Sequence, residues 1–547
     1  MLKSTTSLTG VIDSRFAFSS RLRAFAADTS GNMSYLAIVG SLVMMVFGGV
    51  GIDMMHAELK RIKVQNTLDR AVLAAANIEN TIAPQQVVEE YFAAMGLGEA
   101  LTSIDVEQSM TAKRVSAIGQ SAISSDFMSL IGVDTLDAFG KATAEHATAN
   151  IEISMVLDVS GSMGWNSKIV NMRNAARSFV DIMMPEDGQA LTTISIVPYN
   201  ATVNLGATTA SYFTLDDLHD YSNCVTFDQS DFDQAAISPS EELTRLAHFD
   251  LNSTNVNSTE IASPWCRTGD TSAVIAHRSD PATLKAHIDS LNAGGNTAID
   301  LGMKWGAALL DPAARPAIAA MSDDGLVDSD FAVRPASYAD PESSKYVVIM
   351  TDGENTTQYD LKPQHKYGYS DVWIDERGNS DPSDDRFSLR VVDNTGSDND
   401  TYFWQRYEGY SSSYRYRGTP DGGSNARRMT NAELFARFGT RAVGSKMYQR
   451  PYYDGYVSYG TYSDIYYAYE ATVGADPADN RLESICDAAK AQGVVVFAIG
   501  FEAPQRGLDA MRNCASSPAH FFDVNGADLE ETFASIANTI TQLRLTQ

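Results

Sequence analysis

Residues 151–163 read IEISMVLDVSGSM, a β-branched and mostly apolar run that leads into Asp158, Ser160 and Ser162. The run predicts a buried strand, and alternate side chains of the extended loop after it point to the same side. One carboxylate and two hydroxyls can therefore converge on a single cation. Oxygen donors favour Mg²⁺, Mn²⁺ or Ca²⁺ over zinc. The same residues also fit a polar turn without a ligand, so the choice between these interpretations depends on the rest of the chain.

Strand and helix patterns alternate through the C-terminal part of the chain. This alternation predicts an α/β fold, in which helices flank both faces of a parallel sheet. Two polar insertions interrupt it, at residues 206–281 and 355–477. The predicted strands are 151–157, 192–199, 345–350, 494–501 and 520–524, and the predicted helices are 168–184, 282–291, 298–310, 482–492, 506–514 and 527–543.

Two more oxygen-bearing side chains stand in comparable places. Thr297 opens a predicted helix two residues after the glycine pair 294–295, and Asp352 follows the predicted strand 345–350. In open α/β sheets, ligands bind at the carboxyl ends of the strands, where the loops converge. We therefore expect Thr297 and Asp352 to join the Asp158 loop in one site.

The order and context of these residues resemble the von Willebrand factor type A domain and its metal-ion-dependent adhesion site. The resemblance covers residues 150–525, a Rossmann-like parallel sheet with two long insertions. It implies that Ser160 and Ser162 bind the metal directly, that Thr297 binds directly or through water, and that Asp158 and Asp352 bind mostly through water. It also implies an open metal position that a carboxylate of a protein partner fills. Few direct anionic ligands leave the cation electrophilic, which favours such a carboxylate.

Composition and motifs exclude several function classes. The chain has 547 residues, enough for several domains. Its formal net charge of −28 argues against nucleic acid as a partner, because phosphate binding needs clustered Lys and Arg. The sequence contains no phosphate-binding loop, nucleophile elbow or zinc-protease helix, and no nearby histidine could activate Ser160 or Ser162. We therefore predict that the protein is not an enzyme.

Residues 35–52, YLAIVGSLVMMVFGGVGI, carry no charge and approach the roughly 20 residues of a membrane helix. A cleaved signal peptide and a buried core helix are the alternatives, but residues 53–56 form a poor cleavage site. Arginines before the span predict a cytoplasmic N-terminus, although three basic residues follow at 60–63. The predicted segments are a cytoplasmic N-terminus at 1–28 and a transmembrane helix at 29–53, with the bulk of the chain periplasmic.

A stripe of mostly apolar residues continues with helical spacing beyond the span and predicts a helical stalk over residues 54–79. The stripe fits either a solvated helix or packing against a similar helix of another subunit. Residues 80–149 then predict a small α+β module, to which we assign a spacer or docking role by default. The stripe consists of Ile52, Met55, Leu59, Ile62, Asn66, Asp69 and Leu73.

The glycine-rich span, Asp53 and the run QNTLDRAVLAAA at 65–76 resemble the TadE/TadG-like region. TadG-like proteins of the tight-adherence (Flp) pilus systems join that region to a von Willebrand A domain, and commonly end in a terminal helix like the one predicted at 526–547. The resemblance implies a bacterial pilus-assembly protein anchored in the inner membrane by a single pass. Type IV pseudopilins carry a glutamate five residues after a processed glycine, whereas Leu36 stands five after Gly31. We therefore expect no prepilin-peptidase processing.

Four cysteines allow two disulfides if the chain is periplasmic, whereas a cytoplasmic chain would keep them reduced. Cys224 and Cys266 fall in the same insertion, and Cys486 and Cys514 fall on neighbouring late helices. Of the three connectivities open to four cysteines, we predict Cys224–Cys266 and Cys486–Cys514.

The second insertion is acidic over 371–400 and then rich in tyrosine. The acidic run fits a Ca²⁺ site but better fits a solvated, mobile loop, and the tyrosines fit either a recognition surface or an insertion that packs on itself.

Two functions follow from the sequence as a whole. One is an inner-membrane-anchored envelope protein of a Flp/Tad-type pilus-assembly machine, which binds a partner through its metal and contacts other pilus-assembly components. The alternative is a surface adhesin that binds external ligands through the metal site and the tyrosine-rich insertion. The sequence shows no outer-membrane or cell-wall anchoring signal, which favours the first.

Overall fold

The computed structural model describes residues 23–27, 32–77, 82–108, 112–147, 150–185, 191–391 and 400–546. The chain divides into two compact units, and the boundary between them follows Ala147. The predicted cytoplasmic N-terminus at 1–28 lies outside the described residues except for 23–27, which are helical.

The first unit is built on one long helix, α1 (Asn32–Ala76). Among the described residues it is the one helix that is long and apolar enough to cross a membrane, by length and composition. Its most apolar 18-residue window has a mean hydropathy of 2.1, and 6% of that window is buried. A buried core helix, one alternative for this segment, is therefore wrong.

The C-terminal half of α1 packs on a three-stranded antiparallel sheet. The strands β1 (Leu101–Gln108), β2 (Ala112–Ser124) and β3 (Thr135–Ala147) stand in that order, and the helix α2 (Pro84–Ala94) packs beside α1. Small residues let helix and sheet approach closely, since a Cβ on Gly140 would lie 2.9 Å from a methyl of Leu68. The buried residues of this core include Val64, Leu68, Ala71, Val72, Ala75, Val88, Phe92, Val115 and Ala117.

The predicted stripe of the stalk lies on the opposite, outer face of α1. Leu59 and Leu73 are 57% and 67% exposed, whereas Val64 and Leu68 on the inner face are fully buried against the chain's own sheet. One face of residues 54–76 is therefore buried, whereas the stripe itself is exposed, and its interpretation as a solvated surface stays a prediction. Packing of the stripe against another subunit stays a prediction.

A six-stranded, mostly parallel sheet forms the centre of the second unit. The order across the sheet is β9-β8-β7-β4-β5-β6, and β4 runs parallel to both of its neighbours. The predicted α/β class is confirmed. One edge strand, β6, is antiparallel and comes from residues 206–281, which the sequence pattern had assigned to an insertion. The strands are β4 (Asn150–Asp158), β5 (Thr192–Tyr199), β6 (Ile275–Arg278), β7 (Ser343–Thr351), β8 (Val495–Phe501) and β9 (Phe521–Val524).

Helices cover both faces of this sheet because alternate side chains of its strands are apolar on both sides. Met155 of β4 belongs to one core and Val156 to the other. The core that contains Met155 also contains side chains of α3, α4 and α8. The core that contains Val156 also contains side chains of α5, α6 and α7. The terminal helix α8 packs on α3, where the rings of Phe179 and Phe533 lie 6.1 Å apart. The helices are α3 (Lys168–Met183), α4 (Pro281–Ser290), α5 (Ile299–Ala308), α6 (Ala475–Ala491), α7 (Gln505–Cys514) and α8 (Asp528–Thr546).

The second insertion has its own sheets and its own core. Its acidic run was expected to be a mobile loop, but the strands Tyr369–Asp375 and Arg386–Val391 pair with each other, and Asp371 accepts from Arg390 and Arg428 at 3.0 Å. That expectation is wrong for these two strands, whereas residues 376–385 between them form a mostly exposed turn, and residues 392–399 lie outside the described part. The other strands are Gln358–Leu361, Thr401–Trp404, Tyr416–Arg417, Arg427–Thr430 and Tyr469–Val473. The helices here are Pro363–Lys366, Ser412–Arg415, Asn431–Phe438, Thr440–Val443, Gln449–Tyr453 and Tyr459–Tyr466, while Gly206–Ala210 and Arg315–Asp323 lie outside this insertion.

Candidate metal site

Three loops at the carboxyl edge of the sheet carry the predicted ligands. Asp158 ends β4, Asp352 follows β7, and Thr297 lies just before α5. Because β4 and β7 are parallel neighbours, their carboxyl ends lie side by side and bring the two aspartates together. Ser160 and Ser162 follow in the loop that leaves β4.

Hydrogen bonds join the loop after β4 to Asp352. The Ser162 hydroxyl donates to Asp352 Oδ1 at 2.7 Å, and Ser160 Oγ lies 3.1 Å from Ser162 Oγ. Asp158 is held from both sides, since its Oδ1 accepts from the Ser160 N–H and its Oδ2 accepts from the Thr351 hydroxyl, each at 2.7 Å. The oxygens of Ser160, Ser162 and Asp352 thus form one cluster. Asp158 stabilises it by bonding both to the Ser160 backbone and to Thr351.

Thr297 completes the cluster from the third loop. A Cβ built on Gly353 would lie 3.3 Å from Thr297 Oγ1 and 3.9 Å from Ser162 Oγ, so both hydroxyls flank this glycine. Two backbone contacts position Thr297: its N–H donates to Thr356 Oγ1 at 3.2 Å, and its carbonyl accepts from the Thr356 N–H at 2.9 Å. The structure therefore brings all five residues of the predicted site to one rim.

The electrostatics of the cluster suit a cation. Asp158 is fully buried, and burial, followed by the nearby Asp352 carboxylate, raises its pKa to about 6. A divalent cation at the rim would stabilise both ionised carboxylates. Among the described residues no group of three or more His, Cys, Asp and Glu side chains could hold a metal. Carboxylate and hydroxyl oxygens fit Mg²⁺, Mn²⁺ or Ca²⁺.

Lys168 is a member of the cluster that the sequence reasoning missed. It is the first residue of α3, and its ammonium donates to Asp352 Oδ2 at 3.1 Å and lies 3.7 Å from Glu502 Oε2. With 8% of the residue exposed, this charge partly neutralises Asp352 inside the site. The helical pattern indicated where Lys168 lies in α3, but no local signal indicates which carboxylate it reaches.

Arg267 supports the loops from the first insertion and was also missed. Its Nη2 donates to the carbonyls of Val159 and Gly294 at 3.3 and 2.8 Å, which ties the loop after β4 to the loop before α5. It follows Cys266, which forms a disulfide with Cys224. The insertion therefore contributes to the rim as well as to the edge of the sheet.

The structure pairs all four cysteines. Cys224 is bonded to Cys266 and Cys486 to Cys514, with Cα–Cα distances of 5.9 and 5.1 Å. These are the two pairings predicted from the sequence. The second bridge joins α6 to α7, the two helices that pack together on one face of the sheet.

Residues 31–77 match the family model for putative Flp pilus-assembly TadE/G-like proteins. This match covers the apolar half of α1 and the half that packs on the small sheet. No curated protein sequence matches the chain.

Solved structures with weak similarity include two pilus proteins. The von Willebrand domain of the type V pili tip protein Mfa5 from Porphyromonas gingivalis is 16% identical, with a TM-score of 0.30, over 72% of this chain and 96% of that one. The adhesive tip pilin GBS104 from Group B Streptococcus agalactiae is 10% identical, with a TM-score of 0.29, over 72% and 99%. Proximal thread matrix protein 1 from the mussel byssus, with a zinc-occupied MIDAS motif, is 12% identical, with a TM-score of 0.24, over 72% and 46%. Similarities of this size carry no functional argument.

The strand order, the helices on both faces and the Asp158 loop at the carboxyl edge give the second unit the α/β architecture that the resemblance to von Willebrand factor type A domains implies. This architecture rests on the chain's own topology. Residues 31–77 carry the TadE/G-like region. The chain therefore joins a segment similar to TadE/G-like pilus-assembly proteins, at residues 31–77, to a separate α/β unit.

Proposed function

We propose that this protein is an inner-membrane-anchored component of a Flp/Tad-type pilus-assembly machine, and that its A domain binds a carboxylate of a protein partner through Mg²⁺, Mn²⁺ or Ca²⁺. The observation that carries the proposal is the cluster in which Ser162 donates to Asp352 at 2.7 Å, next to Ser160 and Thr297. The role is binding rather than catalysis.

The composition of the cluster supports an exchangeable carboxylate ligand. Three of its five side chains are neutral hydroxyls, and Asp158 already accepts two hydrogen bonds from protein donors. A divalent cation held mainly by hydroxyls keeps most of its positive charge, so an anionic ligand binds it more favourably than water does. A partner aspartate or glutamate supplies such a ligand.

The proposed location rests on α1 and on the disulfides. The apolar half of α1 is long enough to span a bilayer, and the arginines before it favour a cytoplasmic N-terminus. The A domain would then lie in the periplasm, where the two disulfides are stable.

Metal binding is tested by calorimetry on the full chain in detergent, with Mg²⁺, Mn²⁺, Ca²⁺ and Zn²⁺ titrated separately. We expect Asp158→Ala to abolish Mg²⁺ and Mn²⁺ binding, and Ser162→Ala to weaken it by at least about tenfold. Ser154→Ala is the matched control, because Ser154 is buried in the same strand away from the rim. Equal metal affinities for the unsubstituted chain and its three variants, or no metal binding by the unsubstituted chain, would refute the metal site.

A surface adhesin is the second candidate, and exposed tyrosines of the second insertion favour it. Tyr410, Tyr453 and Tyr459 are 59%, 69% and 63% exposed, although other rings pack on each other, such as Tyr416 on Tyr456 at 4.0 Å. Fractionation with external protease separates the candidates. Protection in intact cells and recovery with the inner membrane are expected for the assembly role, whereas cleavage in intact cells would support the adhesin.

A further inference from the structure

The turn between β2 and β3, residues 125–134, lies against α1 where the apolar half of the helix ends; we call it the hairpin tip. The carboxylate of Asp53 on α1 accepts from the N–H groups of Phe127 and Met128 at 2.8 and 2.7 Å, and from that of Asp126 at 3.3 Å. Asp53 is 5% exposed. The Asp53 carboxylate, at the end of the apolar segment, therefore accepts hydrogen bonds from three successive backbone N–H groups of the tip.

The contact reaches into the apolar segment itself. A Cβ on Gly49 would lie 2.3 Å from ring atoms of Phe127, so only glycine leaves room for the ring at this position. Gly49 precedes Asp53 by one turn of the helix and belongs to the uncharged run 35–52. The tip is thus seated at the level of the last turn of the predicted span.

The tip presents large apolar side chains to the outside. Leu130 and Ile131 are 72% and 59% exposed at the end of the short helical turn Met128–Ile131. Two neighbouring aliphatic side chains on a turn that Asp53 holds by hydrogen bonds are unfavourable in water and would gain free energy by entering an apolar phase. They follow Phe127, whose ring lies beside Gly49, by three and four residues, so this surface lies close to the level where the bilayer would begin.

Charged groups follow in the order that a membrane interface requires. Lys60 and Lys63 line the cleft between α1 and the β2 strand next to the tip, about 10 Å or more along the helix from Asp53. That distance matches the polar headgroup region outside the hydrocarbon, where basic side chains meet anionic lipids. The acidic residues of the tip, Asp126 and Asp134, are exposed near its base, where β2 ends and β3 begins.

We infer that the hairpin tip is a second membrane contact, in which Leu130 and Ile131 insert into the interfacial layer of the bilayer that α1 crosses. The inference rests on the proposed membrane anchoring. Two contacts, one spanning and one interfacial, would fix the tilt and rotation of the first unit relative to the membrane, because Asp53 and Phe127 couple the tip to the helix.

Site-directed fluorescence tests the inference on the full chain in vesicles of phosphatidylethanolamine and phosphatidylglycerol. All four native cysteines are paired, so a polarity-sensitive thiol probe reacts only with an introduced cysteine. Leu130→Cys reports on the tip and Val39→Cys on the span. Ser103→Cys is the exposed control, because Ser103 pairs with Ile118, about 20 Å along the sheet from the end of β2.

We expect blue-shifted emission and quenching by brominated acyl chains at positions 39 and 130, and neither at 103. If the probe at position 39 is quenched but the probe at position 130, like the one at 103, is not, the inference is overturned and the membrane anchoring stands. No quenching at either position would refute the anchoring and the inference together. Asp53→Asn should reduce quenching at 130 and leave that at 39 unchanged, because the amide accepts the three N–H groups less strongly than the carboxylate.

Discussion

His277 should make the second unit less stable as the pH falls from neutral. The ring is 1% exposed, and the neutral form uses both nitrogens: Nε2 donates to the Leu309 carbonyl at 2.6 Å, and Nδ1 accepts from the Thr193 hydroxyl at 3.0 Å. That hydroxyl accepts in turn from Arg334 at 2.7 Å. A proton on Nδ1 would break this chain of hydrogen bonds beside a buried guanidinium.

The magnitude follows from the pKa of His277, which burial lowers from 6.5 to about 4, although Glu152 partly offsets the effect. Because the pKa is lower in the folded state, the unfolded chain binds the proton more tightly. The stability is therefore fully present above about pH 6.5 and is lost as the pH falls to about 4. At about 1.4 kcal/mol for each unit between the two pKa values, the loss approaches about 3 kcal/mol.

Urea unfolding of the full chain in detergent, followed by tryptophan fluorescence, measures this loss. All five tryptophans lie between Trp165 and Trp404, so the signal reports on the second unit alone. Other groups titrate in the same window: burial lowers the pKa of His248 to about 4 and raises that of Asp300 to about 6. The test is therefore the difference between the unsubstituted chain and His277→Gln, measured at pH 7 and again near pH 4.5.

The variant should be less stable at pH 7, because glutamine does not reproduce both hydrogen bonds. The difference in the free energy of unfolding between the two proteins should then shrink by about 2 to 3 kcal/mol at the lower pH. His56→Gln, at an exposed position of the first unit, should behave like the unsubstituted chain at both pH values. If the difference in unfolding free energy between the unsubstituted chain and His277→Gln is the same at both pH values, the assignment of the pH dependence to His277 is refuted.

Two further predictions concern the stability of the second unit and use the same unfolding assay. Replacing Cys486 and Cys514 by alanine removes a bridge that closes a 28-residue separation, and should cost about 3.5 kcal/mol; a loss below about 1 kcal/mol would contradict this. Gly306→Ala should cost about 1 to 3 kcal/mol, because its Cβ would lie 2.4 Å from a methyl of Val156. Gly460→Ala, whose Cβ would lie 3.6 Å from the Ser458 hydroxyl oxygen, should be neutral or slightly stabilising, and an equal loss at both positions would contradict the packing argument.

Much of the candidate site could be predicted because each part has a local signature. An apolar, β-branched run followed by Asp158 predicts a strand and a polar loop, and Asp352 follows a second run of the same kind. Parallel packing of such strands then places their carboxyl ends together. Lys168 and Arg267 had no comparable signature, since each acts on groups that are far away in the sequence.

By itself the sequence determined the α/β class and the apolar span, and it predicted the residues that meet at the rim, since these depend on periodicity, hydropathy and strand order; the structure then confirmed the two predicted cysteine pairings. Only the tertiary structure decided which face of α1 is buried, that Asp53 holds the hairpin tip, and that the acidic run contains two paired strands. The physical reason is that periodicity shows which side chains share a face but not what covers it. The neighbour of a buried face or of a buried charge comes from a distant part of the chain, and only folding brings the two together.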